Sequence, residues 1–390
     1  MGPRTELEDM AAEMTAWRRD LHQHPELGYE ETRTSEAVAK RLESWGLEVH
    51  RGLGKTGVVG VLRGALGDGP ALGLRADMDA LPMEEESGAE HRSSTPGVFH
   101  GCGHDGHTTM LLGAAKHLAS TRGFAGTVHF IFQPAEEGLA GARAMMEDGL
   151  FERFPCDEVY GMHNWPQLGF GQMAVGSGPM MAASDLVKIE IEGVGAHAAM
   201  PHRGVDPVYV ASQVISSLQS LVSRSTNPAD AAVVSITKVE AGSASNVIPR
   251  LATLTGTCRS FRPETRDMLE AGVERIATAI AAALGATATV TYSRGYPPTV
   301  NHPDQTLFAA EVAASLLGEQ AVDRSPEPSM GGEDFAFMLE EVPGSYVWLG
   351  TGGEFDLHHP RYDFNDEALP MGASFWVELV EARLGDRRAG

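Results

Sequence analysis

The spacing of apolar and polar positions divides the chain into three stretches. In residues 6–21, Leu7, Met10, Met14, Trp17 and Leu21 recur at intervals of three and four, which predicts a helix with one apolar face. A second helix is predicted over 34–45, stopping at Gly46. Short β-like runs follow at 57–62 and 71–76. Residues 108–118 read as helix, 127–132 (TVHFIF) as a buried strand, 140–146 as helix and 158–162 as strand. Strands separated by helical stretches predict an α/β fold, a mostly parallel or mixed sheet with flanking helices.

The pattern changes near residue 184. Residues 186–191 (LVKIEI) alternate as a half-exposed strand does; 207–222 read as helix, 232–239 and 251–258 as strands, 265–284 as a long Ala-rich helix and 287–292 as strand. The order is βαββαβ, the split βαβ arrangement of a ferredoxin-like domain. It is long enough to fold as a unit and is expected to be inserted into the first domain. The first sheet resumes with a helix at 305–317 and a strand at 346–349. The expected division is therefore 1–183, an inserted domain at 184–295, and 296–390.

Composition narrows the functions open to this chain. Its 390 residues are 42% hydrophobic and 21% charged, an ordinary globular balance. The net charge of −23 argues against nucleic acid or an anionic membrane surface as partner. No apolar run approaches the roughly 18 residues of a membrane span. The first residues lead into an acidic amphipathic stretch with no signal-peptide core. Cys102, Cys156 and Cys258 are odd in number and scattered, which suits a reducing cytoplasm.

Residues able to bind metal recur just after the predicted strands of the first domain. Asp77 and Asp79 follow 71–76, Glu136 and Glu137 follow 127–132, His163 follows 158–162, and His358 lies a short loop beyond 346–349. Sites in open α/β sheets form beyond the carboxyl ends of strands, so these residues can converge. Gly101-Cys102-Gly103-His104-Asp105-Gly106-His107 adds a thiol and an imidazole separated by one residue, in a loop whose glycines permit a tight turn. The loop also reads as a helix start capped by Asp105, and His107 competes as a ligand or serves as a packing group. Adjacent Glu136 and Glu137 repel unless a cation or proton intervenes, and neighbouring side chains point apart, so the two should have different jobs. One thiol, one or two carboxylates and three imidazoles are too many for one tetrahedral metal and fit two metals sharing a ligand.

These segments, in this order, resemble the metallopeptidase family of aminoacylases and glutamate carboxypeptidases, closest to its amidohydrolase subfamily of hippurate hydrolases and indole-acetyl-amino-acid hydrolases. The resemblance runs from Arg19-Asp20-Leu21-His22-Gln23-His24-Pro25-Glu26 through Arg75-Ala76-Asp77-Met78-Asp79-Ala80-Leu81-Pro82, the Gly-Cys-Gly-His-Asp-Gly-His run and Gln133-Pro134-Ala135-Glu136-Glu137-Gly138. It continues through Ser329-Met330-Gly331-Gly332-Glu333-Asp334-Phe335 to Asp363-Phe364-Asn365-Asp366. It implies a zinc-peptidase-like catalytic domain holding two divalent ions. Cys102 would bridge them, Glu137 and His358 would complete one site, and His104 and His163 the other. It further implies Glu136 as general base and Asp79 as the residue that orients the ligands. Where the wider family has His-x-Asp this chain has Asp77-Met78-Asp79; His104 is expected to supply the missing imidazole, which leaves Asp77 without an assigned role.

By the same resemblance the inserted domain is a dimerisation or lid domain. His197 would bind the scissile carbonyl, and Asn246, Arg259, Gly331 and Gly332 the rest of the substrate. Arg259 also answers a physical need, since an acidic protein that binds a carboxylate requires a local cation. The implied reaction is hydrolysis of an N-acyl amino acid or dipeptide by an activated water, Glu136 carrying the proton to the leaving amine. A mononuclear dipeptidase, an N-carbamoyl hydrolase and a non-catalytic binding protein on the same scaffold are the alternatives. Thiolate and imidazole suit Zn, Mn, Co or Ni. A homodimer through 184–295 is implied, with a tetramer also open.

Overall fold

The computed structural model describes residues 2–385, which form two compact units. One comprises the residues up to Met180, Thr299–Glu327 and those from Asp334; the other comprises Met181–Pro298 and Pro328–Glu333. The second unit thus begins three residues earlier than expected and takes in Pro328–Glu333, because the Ala182 amide bonds to the carbonyls of Ser329 and Gly331 at 3.0 and 2.9 Å.

In the first unit the described residues form an eight-stranded mixed sheet. Its order is Glu48–Leu53, Gly57–Arg63, Thr127–Gln133, Ala71–Asp77, Glu158–Trp165, Gly344–Gly350, Met173–Ala174 and Val322–Asp323. The four strands from Thr127–Gln133 to Gly344–Gly350 run parallel, and their continuous apolar runs are buried on both faces. Glu48–Leu53 escaped prediction because EVHRGL is a mostly exposed edge strand, paired only with its hairpin partner.

Helices cover the sheet. His104–Thr121 begins four residues before its apolar stretch, so His104 and His107 stand in its first turn. Leu369–Leu384 packs on it and carries no readable periodicity, since almost every side chain around Trp376 is buried. Neither that helix nor any other among the described residues is long and apolar enough to cross a membrane.

A buried ionic cluster ties Ala11–Gln23 to His104–Thr121. Arg18 reaches Asp105 at 3.5 Å and Asp366 at 2.7 Å, and His22 Nδ1 lies 2.8 Å from the Asp105 carboxylate. Burial pulls the His22 imidazole down, but Asp105 outweighs it and holds the ring up at about 9.

The second unit is a four-stranded antiparallel sheet ordered Ala232–Ala241, Leu251–Ser260, Ala183–Glu192, Thr287–Tyr296. Pro207–Ser220 and Pro263–Ala283 pack on it around Val187, Ile189, Ile191, Leu218 and Leu269. The chain order is βαββαβ with the two crossovers interlocked, as the alternation of 186–191 predicts.

Two outcomes follow for stability. A Cβ at Gly106 would meet the buried Phe364 ring at 2.3 Å, whereas one at Gly113 would meet the flexible Met14 sulfur at 2.5 Å. The helix-propensity gain of Ala is at most about 1 kcal/mol and overpacking costs about 1–3 kcal/mol. Gly106→Ala should therefore lower the melting temperature, and Gly113→Ala should leave stability within about 1 kcal/mol because Met14 can re-pack. The second outcome concerns pH. A folded-state pKa above the unfolded value stabilises fully below about 6.5, and that contribution disappears as pH rises through about 9. Denaturant titrations of the parent should show a loss of roughly 3 kcal/mol across this window, and His22→Gln should flatten it.

Candidate metal centre

The four parallel strands end side by side, Asp77 opposite Gln133 and His163 opposite Trp348. Their loops deliver the chemistry. Gly103, at φ 90°, caps helix His104–Thr121, and a Cβ there would sit 2.4 Å from Asn164 Oδ1, so only glycine lets the Cys102–His104 loop approach the end of strand Glu158–Trp165.

Ring orientation of His163 and His104 is set by hydrogen bonds on the far side of each imidazole. His163 donates through Nδ1 to the Asn164 carbonyl at 2.7 Å, which turns Nε2 toward Cys102 Sγ at 3.4 Å. His104 donates through Nδ1 to the Asp79 carbonyl at 2.9 Å, with Asp79 Oδ1 at 3.2 Å, and its buried Nε2 has no hydrogen-bond partner. Asp79 Oδ2 accepts from the Glu137 amide at 2.9 Å. Glu137 Oε1 faces His358 Nε2 at 3.2 Å yet accepts no hydrogen bond, and the His358 amide donates to the Gly101 carbonyl at 2.8 Å.

The donor atoms of Cys102, His104 and His163 all lie within 4.8 Å of one another, as do those of Cys102, Glu137 and His358, and those of His104, Glu136 and Glu137. Cys102 belongs to both of the first two triads. Within them His104 Nε2 and Glu137 Oε1 are buried without a hydrogen-bond partner, and a set of nitrogen, oxygen and sulfur ligand atoms fits a borderline divalent cation.

The electrostatics agree. Burial pushes the Cys102 thiol well up, and the Glu137 and Glu136 carboxylates push further. Burial and the neighbouring His107 hold His163 well below its usual value. Burial lowers His104, but Asp77, Asp79 and Glu137 outweigh it and raise the ring to about 10. A cation binding there would have to displace the protons that these shifts favour on Cys102 and His104.

Asp77 and His107 belong to the support of the cluster. Asp77 accepts from Arg75 Nη1 and from His107 Nδ1, both at 2.6 Å, and His107 Nε2 lies 2.6 Å from Asn164 Oδ1. Both Asp77 oxygens and both His107 nitrogens are therefore engaged within the protein. Arg75, which the sequence reading passed over, is fully buried and also donates to Gln133 at 2.8 Å and Asp334 at 3.0 Å. An arginine inside the apolar run ALGLRAD is a readable signal, because such a charge requires partners.

In the second unit His197 pairs with Val247 in a two-stranded ladder, and its Nδ1 accepts from the Ala199 amide at 3.1 Å. The Asn246 carbonyl accepts from Ala198 at 3.0 Å, so His197 and Asn246 are neighbours. Arg259 lies beside Gly332, where a Cβ would stand 3.2 Å from its guanidinium. It makes no ion pair among the described residues, and the Gly331 amide donates to Ser329 Oγ at 3.1 Å.

Comparison with known proteins adds the family. Residues 73–382 match the model of peptidase family M20/M25/M40. A hippurate hydrolase of Campylobacter jejuni is 43% identical over 375 residues, covering 96% of this chain and 97% of the relative. An N-acetylcysteine deacetylase of Bacillus subtilis is 43% identical, covering 93% and 94%. Among solved structures, a Bacillus subtilis protein described as a dinuclear metal-binding peptidase of the M20 family superposes with a TM-score of 0.84 at 38% identity, covering 97% of this chain and 99% of the other. With the fold, the motif order and the convergent donor set in agreement, the chain belongs to peptidase family M20/M25/M40, in its amidohydrolase subfamily, and is a hydrolase of amide bonds.

Proposed function

We propose that this protein hydrolyses the amide bond of N-acyl amino acids, releasing a carboxylic acid and a free amino acid, at a centre that holds two divalent ions. The observation that carries this reading is the sharing of Cys102 between two triads of metal-ligating atoms, in which His104 Nε2 and Glu137 Oε1 are buried without a hydrogen-bond partner. Cys102 would lie between the ions, with Glu137 and His358 on one side and His104 and His163 on the other. Bound there, divalent ions supply Lewis acidity and lower the pKa of water toward about 7. Zn, Mn, Co and Ni all suit the donor set.

The chain's own residues do the rest. Glu136 lies in the same donor cluster as His104 and Glu137, is buried, and takes the proton of the attacking water before passing it to the leaving amine. Asp79 holds the His104 ring and the Glu137 amide at once, so one carboxylate orients a residue on each side of Cys102. His197 binds the scissile carbonyl, and Asn246 and Arg259, with Gly331 and Gly332 beside Arg259, hold the substrate's polar end. An unpaired guanidinium in a chain of net charge −23 supports that assignment. Two free buried cysteines suit a reducing cytoplasm.

We further propose a homodimer built on residues 184–295, with a tetramer as the other arrangement. Strand Ala232–Ala241 ends its sheet with an open, largely exposed edge, and Val208 and Tyr209 are exposed on Pro207–Ser220.

A screen of N-acetyl, N-benzoyl, N-carbamoyl and dipeptide substrates on metal-reconstituted protein tests the reaction. Release of free amino acid from the N-acyl series is expected, and failure to cleave any of that series would overturn it. The neighbouring carboxylates should separate: Glu136→Ala keeps both metal ions and loses about 10²–10⁴ in kcat, while Glu137→Ala loses metal. Elemental analysis showing the reverse pattern reassigns the two residues.

A further inference from the structure

The turn that carries Glu136 and Glu137 is conformationally unusual. Within six residues Ala135 (φ 54°), Gly138 (φ 80°) and Ala140 (φ 58°) adopt left-handed backbone, and two of them are alanines. Non-glycine residues keep that conformation only where their surroundings over-determine it. The consequence for the site is directional, since the reversal at Ala135 sends the next two carboxylates to different neighbours.

Two fully buried carboxylates hold the turn at its ends. Glu31 Oε1 accepts from the Ala135 amide at 2.8 Å, and Asp334 Oδ2 accepts from the Ala142 amide at 2.9 Å. Each is itself fixed. Thr56 donates to Glu31 Oε2 at 2.5 Å, while Arg75 and Gln133 donate to Asp334 Oδ1 at 3.0 and 2.7 Å. Between the two anchors the Gly141 amide bonds to the Ala135 carbonyl at 3.0 Å, and the Tyr29 hydroxyl donates to the Leu139 carbonyl at 3.0 Å. The Asp334 amide points at Glu136 Oε1 from 3.4 Å.

We infer that Glu31 and Asp334 are positioning residues for the hydrolysis: by gripping the Ala135 and Ala142 amides they impose the left-handed turn that aims Glu136 at the attacking water and Glu137 away from it. This rests on the reading of Glu136 as the base. Neither positioning residue belongs to the donor triads that contain Cys102.

The hydrogen bonding makes the two anchors differ in a testable way. In Glu31→Gln the amide oxygen still accepts from Ala135, and the new NH2 faces Thr56, whose hydroxyl accepts as readily as it donates. In Asp334→Asn the NH2 meets a donor whichever way it is turned, Ala142 on one side and Arg75 with Gln133 on the other. The amide replacement is thus conservative at residue 31 and disruptive at residue 334. Burial also raises the Glu31 carboxyl to about 7, so the neutral form is already accessible near neutral pH.

The test measures kcat, KM and metal content of the full-length, metal-loaded protein for Glu31→Ala, Glu31→Gln, Asp334→Asn and Glu136→Gln, with the N-acyl amino acid that the parent turns over fastest. Glu31→Ala and Asp334→Asn should lower kcat about 10–100-fold while KM and metal content stay within about threefold of the parent, and Glu31→Gln should return kcat to within about threefold. Parental kcat in Glu31→Ala, metal loss that accounts for its lower rate, or a Glu31→Gln variant as slow as Glu31→Ala would each overturn the inference. If Asp334→Asn does not fold, the residue-31 pair decides alone, since it leaves the Arg75 network intact. Parental kcat in Glu136→Gln would instead remove the reading of Glu136 as base, which separates the two failures.

Discussion

Asp77, Asp79, Glu136 and Asp334 are all buried at the ends of four parallel strands, with Glu137 nearly so, and the rest of the site is arranged around the cost of putting that much negative charge out of water. Arg75 answers part of it. Its guanidinium sits in the middle of the sheet and bonds to Asp77 and Asp334 at once. Asp79, Glu136 and Glu137 are left facing a thiol and imidazoles. The surrounding carboxylates raise the His104 imidazole to about 10, and burial pushes the Cys102 thiol well up. Two shared divalent ions would meet the same need with more charge, which is why the proposed chemistry and the electrostatics of the fold are one problem.

Direction matters as much as charge. His163 and His104 each have the outward nitrogen tied to backbone or carboxylate, so the inward nitrogen is presented in a fixed tautomer. The neighbouring glutamates are turned toward different partners, Glu136 to the Asp334 amide and Glu137 to His358, and the amides of the left-handed turn beside them bond to Glu31 and to Asp334, which also holds Arg75. Gly103 performs the complementary task, removing a side chain so that the Cys102–His104 loop can come down onto Asn164. Binding groups, orienting groups and permissive gaps are therefore separate sets of residues.

The second unit obeys different rules. Among the described residues its sheet ends in two edge strands, Ala232–Ala241 and Thr287–Tyr296, and apolar side chains are exposed on the helix that follows its first strand. Within it His197 and Asn246 share a ladder, and Arg259 shares a corner with Gly332.

Much of this was legible along the chain. Strand periodicity, the βαββαβ order and the recurrence of Cys, His and acidic residues just beyond strand ends are local patterns, because side chains two or four positions apart share a face whatever lies beyond them. Those patterns, with the motif order, were enough to nominate Cys102, His104, Glu136, Glu137, His163 and His358. What they left open was settled only by packing. Helix Leu369–Leu384 is buried all round from Leu369 to Val377, and its charged positions are confined to its C-terminal end, so no periodicity runs its length. The partners of Asp77 and His107 are a case in point, since the fold engages both oxygens of the one and both nitrogens of the other. The pairing of Arg75 with Asp334 joins positions 259 residues apart. A buried charge announces in the sequence that it needs a partner, but which partner it finds depends on which strand ends the folded sheet brings together, and no local period encodes that.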